Sequence, residues 1–394
     1  MIGLFNECFP PIMDGVSQTV CNLARQFYLK GENVAVVTPR VPGLNAKEYP
    51  YTIMQYHSLP IPSRRPYRYG MPYIDINFQR EMAGMEFRIF HAHCPFSSGE
   101  YALKMARRRG IPVVATFHSK YRDDFKRAIP NKQIVDMMVR KVVNYFETVD
   151  EVWVPQASVG ETLREYGYRG TFEVMDNGTD MAGQPYSNEM KRQAKGELYV
   201  NENEPLLLFV GQHIWEKNVE TIIKALARIK DMPYHAIFVG DGYAKDDMLR
   251  MAKKLQLTGN DDYRKDKLTF FGTVKEREMM QRFYTAADLF LFPSMYDNAP
   301  LVVREAAARF TPSLVSRGSN TAELFHDGMN GFIADNNVED FASRLRYLLN
   351  NPRLTELAGM GAAQTLVRPW SDIAEETLDR YEHLINRMSN KKAM

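Results

Sequence analysis

The chain has 394 residues, 45% hydrophobic and 25% charged, with a formal net charge of +2. That length exceeds one ordinary core and points to two domains, and the near-balanced charge gives no reason to expect a nucleic-acid partner. Three cysteines, Cys8, Cys21 and Cys94, are odd in number and widely spaced, so they form neither a disulfide framework nor a zinc pattern and read as buried thiols in a reducing compartment. The opening MIGLFNECFPP has no basic n-region or apolar h-region, and no stretch approaches roughly 18 uncharged apolar residues. A cytoplasmic protein, able to lie against a membrane, is the expectation.

Strand and helix signals alternate along the chain. IGLFNE reads as a strand, a helix follows over about 17–30, and NVAVVTP is the next strand. FRIFHAH, the helix around EYALKMARRRG, PVVATFH, a long amphipathic helix and EVWVP continue the pattern. Short apolar runs between helical segments predict a parallel sheet covered on both faces by crossover helices.

From GTDMAGQPYSNEMKRQAKGELYVNENEP the pattern lapses, and it restarts with LLLFVG, HAIFVGDG, KLTFFG, LFLFPS and PSLVS. The expected fold class is α/β, with two doubly wound Rossmann-like domains over 1–185 and 186–369. Ligands of such sheets sit beyond the carboxyl ends of the strands, and a cleft between two facing sheets is the default site.

PSMYDNAPLVVREAAARF follows the strand LFLFPS and places Asp297 eight residues before Glu305. Asp297 falls in the loop at the strand's carboxyl end, and Glu305 falls about one turn into the next helix. The backbone N–H groups of Asn298, Ala299, Pro300, Leu301 and Val302 are expected to point out of the helix start, where an anion such as a phosphate is favoured. Glu305 can accept hydrogen bonds from the vicinal hydroxyls of a ribose, as the acidic residue of dinucleotide folds does. Taken alone, the two acids also read as a surface loop acid and a first-turn acid complementing the helix dipole.

This stretch resembles the E-x7-E element of the retaining GT-B glycosyltransferases of family 4, with Asp297 in place of the first Glu. Further segments agree in order over nearly the whole chain: FPPIMDGVSQTV, HAHCPFSSGEYAL with PVVATFHSKYRDD, VDEVWVPQASVGETLREYG with VMDNGTD, LLLFVGQHIWEKNVETIIKAL, FVGDG and FFGTV. The resemblance implies a nucleotide-sugar donor in the second domain and an acceptor in the first. It also implies that the terminal helix, within 370–394, crosses back onto the first domain. It assigns His118 to the transferred sugar, Lys217 and Asp297 to the reacting centre, and Gly15, Val16, Gly211, Gln212, Val274 and the 298–301 segment to substrate.

Read physically, Lys217 follows a strand and presents an ammonium to the donor diphosphate; its bland alternative is a solvated lysine at a helix start. Family members carry an Arg where Gln212 stands, so one cation of the diphosphate site is missing. Arg317, at the carboxyl end of PSLVS, is the first candidate to replace it, and Arg304 the second. Phe310 stands where the family has a small glycine. Gly15 allows close backbone approach, or simply marks a helix start capped by Asp14 or Ser17.

His91 and His93 share one strand face, but no carboxylate or cysteine group accompanies them, so no metal and no cofactor is expected. From Lys104 to Lys141 cations dominate, with Phe125, Ile129, Ile134, Met137, Met138 and Val142 interleaved at helical spacing. Such a basic amphipathic helix suits an anionic membrane surface, or is an ordinary domain helix with a solvated face. FPPIMDGVSQTV and FHSKYRDDF are most similar in wording to bacterial diacylglycerol glucosyltransferases. The implied activity is retaining transfer of a hexose, glucose first, from a UDP-sugar to a hydroxyl acceptor such as a membrane glycerolipid. A soluble acceptor and a non-catalytic nucleotide-sugar-binding module are the alternatives, the latter resting on Gln212 and Asp297.

Overall fold

The apolar runs form parallel strands buried on both faces. The computed structural model describes residues 1–12, 14–61, 67–259 and 266–393, with side chains to 390. Met13 of FPPIMDGVSQTV lies outside the described residues. The chain divides into a unit of residues 1–178 with 370–394 and a unit of residues 179–369.

The first unit opens with β1 (Ile2–Phe5), α1 (Gly15–Leu29), β2 (Val34–Pro39), β3 (Thr52–Tyr56), β4 (Ser58–Pro60), β5 (Arg68–Gly70) and α2 (Ile76–Ala83). It continues with β6 (Ile89–Ala92), α3 (Ser97–Arg109), β7 (Val113–Thr116), α4 (Tyr121–Ala128), α5 (Lys132–Thr148), β8 (Glu151–Val154), α6 (Ala157–Glu165) and β9 (Glu173–Val174). Its sheet runs β3-β2-β1-β6-β7-β8-β9, every pairing parallel, and β4 and β5 form a separate antiparallel hairpin.

The second unit holds α7 (Asn188–Glu197), β10 (Leu206–Val210), α8 (Val219–Arg228), β11 (His235–Val239), α9 (Lys245–Lys254), β12 (Leu268–Gly272) and α10 (Arg277–Ala286). After these come β13 (Leu289–Phe292), α11 (Leu301–Ala308), β14 (Ser313–Ser316), β15 (Phe332–Ala334), α12 (Val338–Leu349) and α13 (Pro352–Thr365). The sheet order is β12-β11-β10-β13-β14-β15, again all parallel. On β10 the alternation of a strand is visible in the core: Leu207 and Phe209 enter one apolar cluster, and Leu206, Leu208 and Val210 enter the other. The last helix, α14 (Trp370–Ala393), returns to the first unit. There Tyr381 stacks on Trp153, ring centroids 5.5 Å apart.

Three expectations are corrected. The junction lies at 178/179 rather than 185, because Met181 is buried in the second unit's core and Asp180 is ion-paired to Arg277 there. The long basic helix is two helices, α4 and α5. Pro130 disfavours helical geometry at Ile129, which is extended at φ −134°, and Asn131 then caps α5 by accepting from Gln133 and Ile134 amides. Phe125 and Val142 are buried in the core, and Ile129 and Met138 pack partly against it, which leaves Ile134 and Met137 outward at 41% and 56% exposed. Strands β3, β4, β5, β9 and β15 were not anticipated: they are short, or lie at sheet edges with mixed burial.

Candidate functional site

In the second unit the strand order reverses between β10 and β13, and the loops at their carboxyl ends carry the expected residues. The loop after β10 is shaped by FVGDG. His213 N–H donates to the Asp241 carbonyl at 2.9 Å, and Ala244 N–H donates to the His213 carbonyl at 3.0 Å. A Cβ on Gly240 would lie 2.0 Å from the Gly211 carbonyl oxygen, and Gly240 sits at φ +138°, so this close approach needs glycine. Gln212 is exposed on this loop, and His213 is fully buried among Phe209, Phe238 and Phe270. His213 cannot stand in for the missing arginine: burial, reinforced by Lys245, lowers its pKa to about 4 and keeps it neutral.

Lys217 ends a 3-10 turn, and its Nζ is ion-paired with Asp297 Oδ1 across 80 positions of sequence. Asp297 Oδ2 is buried with no hydrogen-bond partner among the described residues. The residue that fixes this loop is one that sequence reasoning missed. Asn218 adopts the left-handed region at φ +57° and donates from Nδ2 to the Pro293 carbonyl at 3.2 Å, tying the Lys217 turn to the end of β13. Asparagine's tolerance of that region, in WEKN, was the available signal.

Helix α11 starts at Leu301, with Pro300 as its cap. Pro300 has no N–H, so the expected row of amides over 298–302 is corrected: the helix-start donors are those of residues 301–303. Asn298 is buried, and its Oδ1 accepts from Asn320 at 2.9 Å. Ala299 is half-buried beside it. Glu305 forms a second cluster: Oε2 accepts from the Tyr284 hydroxyl at 2.8 Å, and Oε1 pairs with Arg277 at 3.0 Å. Val274 is half-buried against the apolar core.

The two replacement cations fare differently. Arg304 is 3% exposed and donates to the Leu366 carbonyl at 2.9 Å, so it is engaged within the helix packing. Arg317 does follow β14 at its carboxyl end, but its Nε donates to Asp335 at 2.7 Å on an exposed surface. Phe310 keeps the glycine-like backbone, at φ +59°, and stacks on Tyr186 with centroids 4.5 Å apart.

In the first unit, Asp14 caps α1 with a reciprocal Ser17 bond, while Gly15 is exposed and Val16 half-buried at the helix start. His118 lies two residues past β7, and its Nε2 is 3.0 Å from His93 Nδ1. His93 Nε2 is buried with no partner among the described residues. His91, on the same strand face, meets the Tyr381 hydroxyl at 2.6 Å and Thr116 Oγ1 at 2.7 Å. Burial lowers the pKa of His91 and of His118 to about 3. All three rings are therefore neutral near pH 7. Glu7 was also missed: its carboxylate accepts from the Ser98 amide at 2.7 Å and from Ser97 Oγ, capping α3, whose cap residue Phe96 has no side-chain oxygen.

Among the described residues no group of three or more His, Cys, Asp or Glu is placed to hold a metal ion. A recess of about 550 Å³ on the first unit is lined by Glu173, Asp379, Arg380 and His383, but Arg380 is already paired with Glu151 and Glu173. It contains none of the expected residues.

Two family profiles tile the chain. One, described as Glycosyltransferase Family 4, matches residues 13–182, and the other, Glycosyl transferases group 1, matches residues 190–364. The chain belongs to glycosyltransferase family 4. The chain is 25% identical to an alpha-monoglucosyldiacylglycerol synthase of Acholeplasma laidlawii, over 90% of this chain and 89% of that one. Sucrose-phosphate synthase from Thermosynechococcus elongatus superimposes with a TM-score of 0.80 at 19% identity, covering 98% and 99% of the two chains. The Anabaena protein HepE, in complex with UDP and glucose, gives 0.75 at 16% identity, covering 97% and 99%. The fold of this family 4 glycosyltransferase is therefore GT-B, with two Rossmann-like α/β units. No helix among the described residues is long and apolar enough to cross a membrane.

Proposed function

We propose that this glycosyltransferase moves a hexose, glucose first, from a UDP-sugar to the hydroxyl of a membrane glycerolipid, with retention at the anomeric carbon. The observation that carries the donor half is the Lys217–Asp297 pair, set with the start of α11 at the carboxyl ends of β10 and β13. A diphosphate there is met by the ammonium and by the amides of residues 301–303. Glu305 accepts the ribose hydroxyls. The anomeric carbon–phosphate oxygen bond breaks as the acceptor oxygen bonds to that carbon on the same face. The acceptor proton passes to the departing phosphate oxygen. With one ammonium and a helix start on the diphosphate, the reaction needs no metal. His118, neutral, offers a hydrogen bond to the transferred sugar rather than a charge.

The lipid acceptor is supported by the Acholeplasma relative's name and by the outward Ile134 and Met137, which lie on α5 with exposed Lys132, Arg140 and Lys141. The UDP donor is supported by the ligands of the Anabaena neighbour. Pure protein incubated in excess chelator with UDP-glucose, UDP-galactose or UDP-N-acetylglucosamine, with and without diacylglycerol vesicles, tests the reading. UDP release from UDP-glucose that requires the vesicles is expected. Release with small hydroxy acids instead would assign a soluble acceptor. Loss of turnover restored by Mg²⁺ would overturn the metal-free electrostatics. Nucleotide binding without release under any condition would leave only a binding module.

A further inference from the structure

Glu305 has two partners that ribose binding does not explain. Tyr284 donates to one carboxylate oxygen and Arg277 pairs with the other, on a side chain that is only 13% exposed. Arg277 is held in turn: its Nε donates to Asp180 Oδ2 at 2.9 Å, and its Nη2 contacts Asp180 Oδ1. Arg277 is the first residue of α10, and Asp180 lies just past the junction of the two units. Asp180, Arg277 with Tyr284, and Glu305 therefore come from three separate stretches of the second unit.

We propose that Arg277, itself held by Asp180, is a positioning residue that aims the Glu305 carboxylate at the donor ribose, an inference that rests on the donor reading above. A carboxylate offers roughly four lone-pair directions on its two oxygens. Tyr284 takes one by donating its hydroxyl, and Arg277 holds the other oxygen as an ion pair at 3.0 Å, which leaves lone pairs on both oxygens for a pair of vicinal hydroxyls. The terminal torsion of a glutamate is otherwise broad and weakly held, so one fixed donor and one fixed cation set the plane of the group before any nucleotide arrives. The fork of arginine suits this task, since one edge can grip Asp180 while Nη2 still reaches Glu305; a lysine ammonium has no such fixed geometry. Burial works against the Arg277 charge, but Glu305 and Asp180 outweigh it and raise its pKa. The guanidinium is thus a permanent part of the cluster.

Calorimetric titration with UDP and with 2′,3′-dideoxy-UDP tests this, using wild type, Glu305→Gln, Arg277→Ala, Arg277→Lys and Asp180→Asn. The preference for UDP over the dideoxy analogue reads the ribose hydroxyls alone, so general damage to the fold, which weakens both ligands, does not move it. Arg277→Ala should lose about tenfold of that preference, the scale of one charged hydrogen bond, with dideoxy-UDP affinity unchanged. Asp180→Asn should lose part of it, and Arg277→Lys should restore little. An unchanged preference in Arg277→Ala, or tighter UDP binding, would overturn the proposal; the tighter binding would make Arg277 a competitor of the ribose. If Glu305→Gln loses the preference while Arg277→Ala keeps it, the positioning role falls and the donor reading stands. If wild type shows no preference at all, both fall.

Discussion

The two units place their candidate residues in corresponding positions, beyond the carboxyl ends of strands near the point where the strand order reverses, yet by opposite electrostatic means. The first unit uses neutral groups: His118 is joined to His93, both beside His91, and burial keeps the three uncharged. The second uses charges in opposed pairs, Lys217 with Asp297 and Arg277 with Glu305. A neutral histidine can orient a sugar without attracting the diphosphate, whereas an ammonium and a helix start are suited to the diphosphate itself. On the proposed reading, the same sheet geometry serves donor and acceptor by changing what is charged at its edge. The family's arginine is Gln212 here, so Lys217 is the cation that the loop after β10 supplies.

Removing the ammonium should break the contrast most completely. Lys217→Ala is expected to lower turnover by about 10²–10³-fold, the usual effect of losing one preorganised charge-stabilising donor. UDP release in a single-turnover assay measures it, and normal release would mean that the helix start suffices alone. Glu305→Gln should weaken UDP binding by about 2–4 kcal/mol, as expected when one side of a buried charged hydrogen bond is lost. An unchanged dissociation constant by calorimetry would return Glu305 to a purely structural pair with Arg277.

His213 sharpens the comparison, being a neutral buried histidine on the charged side. Its folded pKa, about 4, lies below the ordinary histidine value of 6.5, so the unfolded chain binds the proton more readily. The stability it contributes is therefore complete above about pH 6.5 and is lost as pH falls toward about 4, by up to about 3 kcal/mol. His213→Phe should flatten that slope, read from urea midpoints of the second unit at pH 7 and 4.5 by Trp215 fluorescence. Parallel slopes in the two proteins would show that the ring nitrogens find a partner. The smallest effect is at the surface of the first unit. Arg140→Gln and Lys132→Gln should each weaken partition to anionic vesicles by roughly 1 kcal/mol, less at high salt. Equal partition to neutral and anionic vesicles in flotation would favour a soluble acceptor.

The central strands were legible in the sequence because both faces of a parallel sheet are buried, so IGLF and LLLFV read as unbroken apolar runs. The edge strand β3 was not, since TIMQY is only partly buried and carries no such run. The split of α4 from α5 could have been read at Pro130, where the proline constrains the residue before it. Local chemistry of this kind also placed Lys217 and Asp297 at strand ends and Glu305 inside a helix.

The sequence by itself determined the two-unit α/β architecture and where the candidate residues fall along its strands, loops and helices, because apolar periodicity, glycine and proline act within a few residues. Only the tertiary structure decided which of those residues are already engaged. Asp297 meets Lys217 from 80 positions away, and Arg277 reaches back 97 to Asp180 and forward to Glu305. Likewise Arg317 is turned to Asp335 and Arg304 is buried against the Leu366 carbonyl. Such pairings depend on the order in which strands lie side by side in the sheet. That order is set by packing of the whole unit, and no local stretch of sequence contains it.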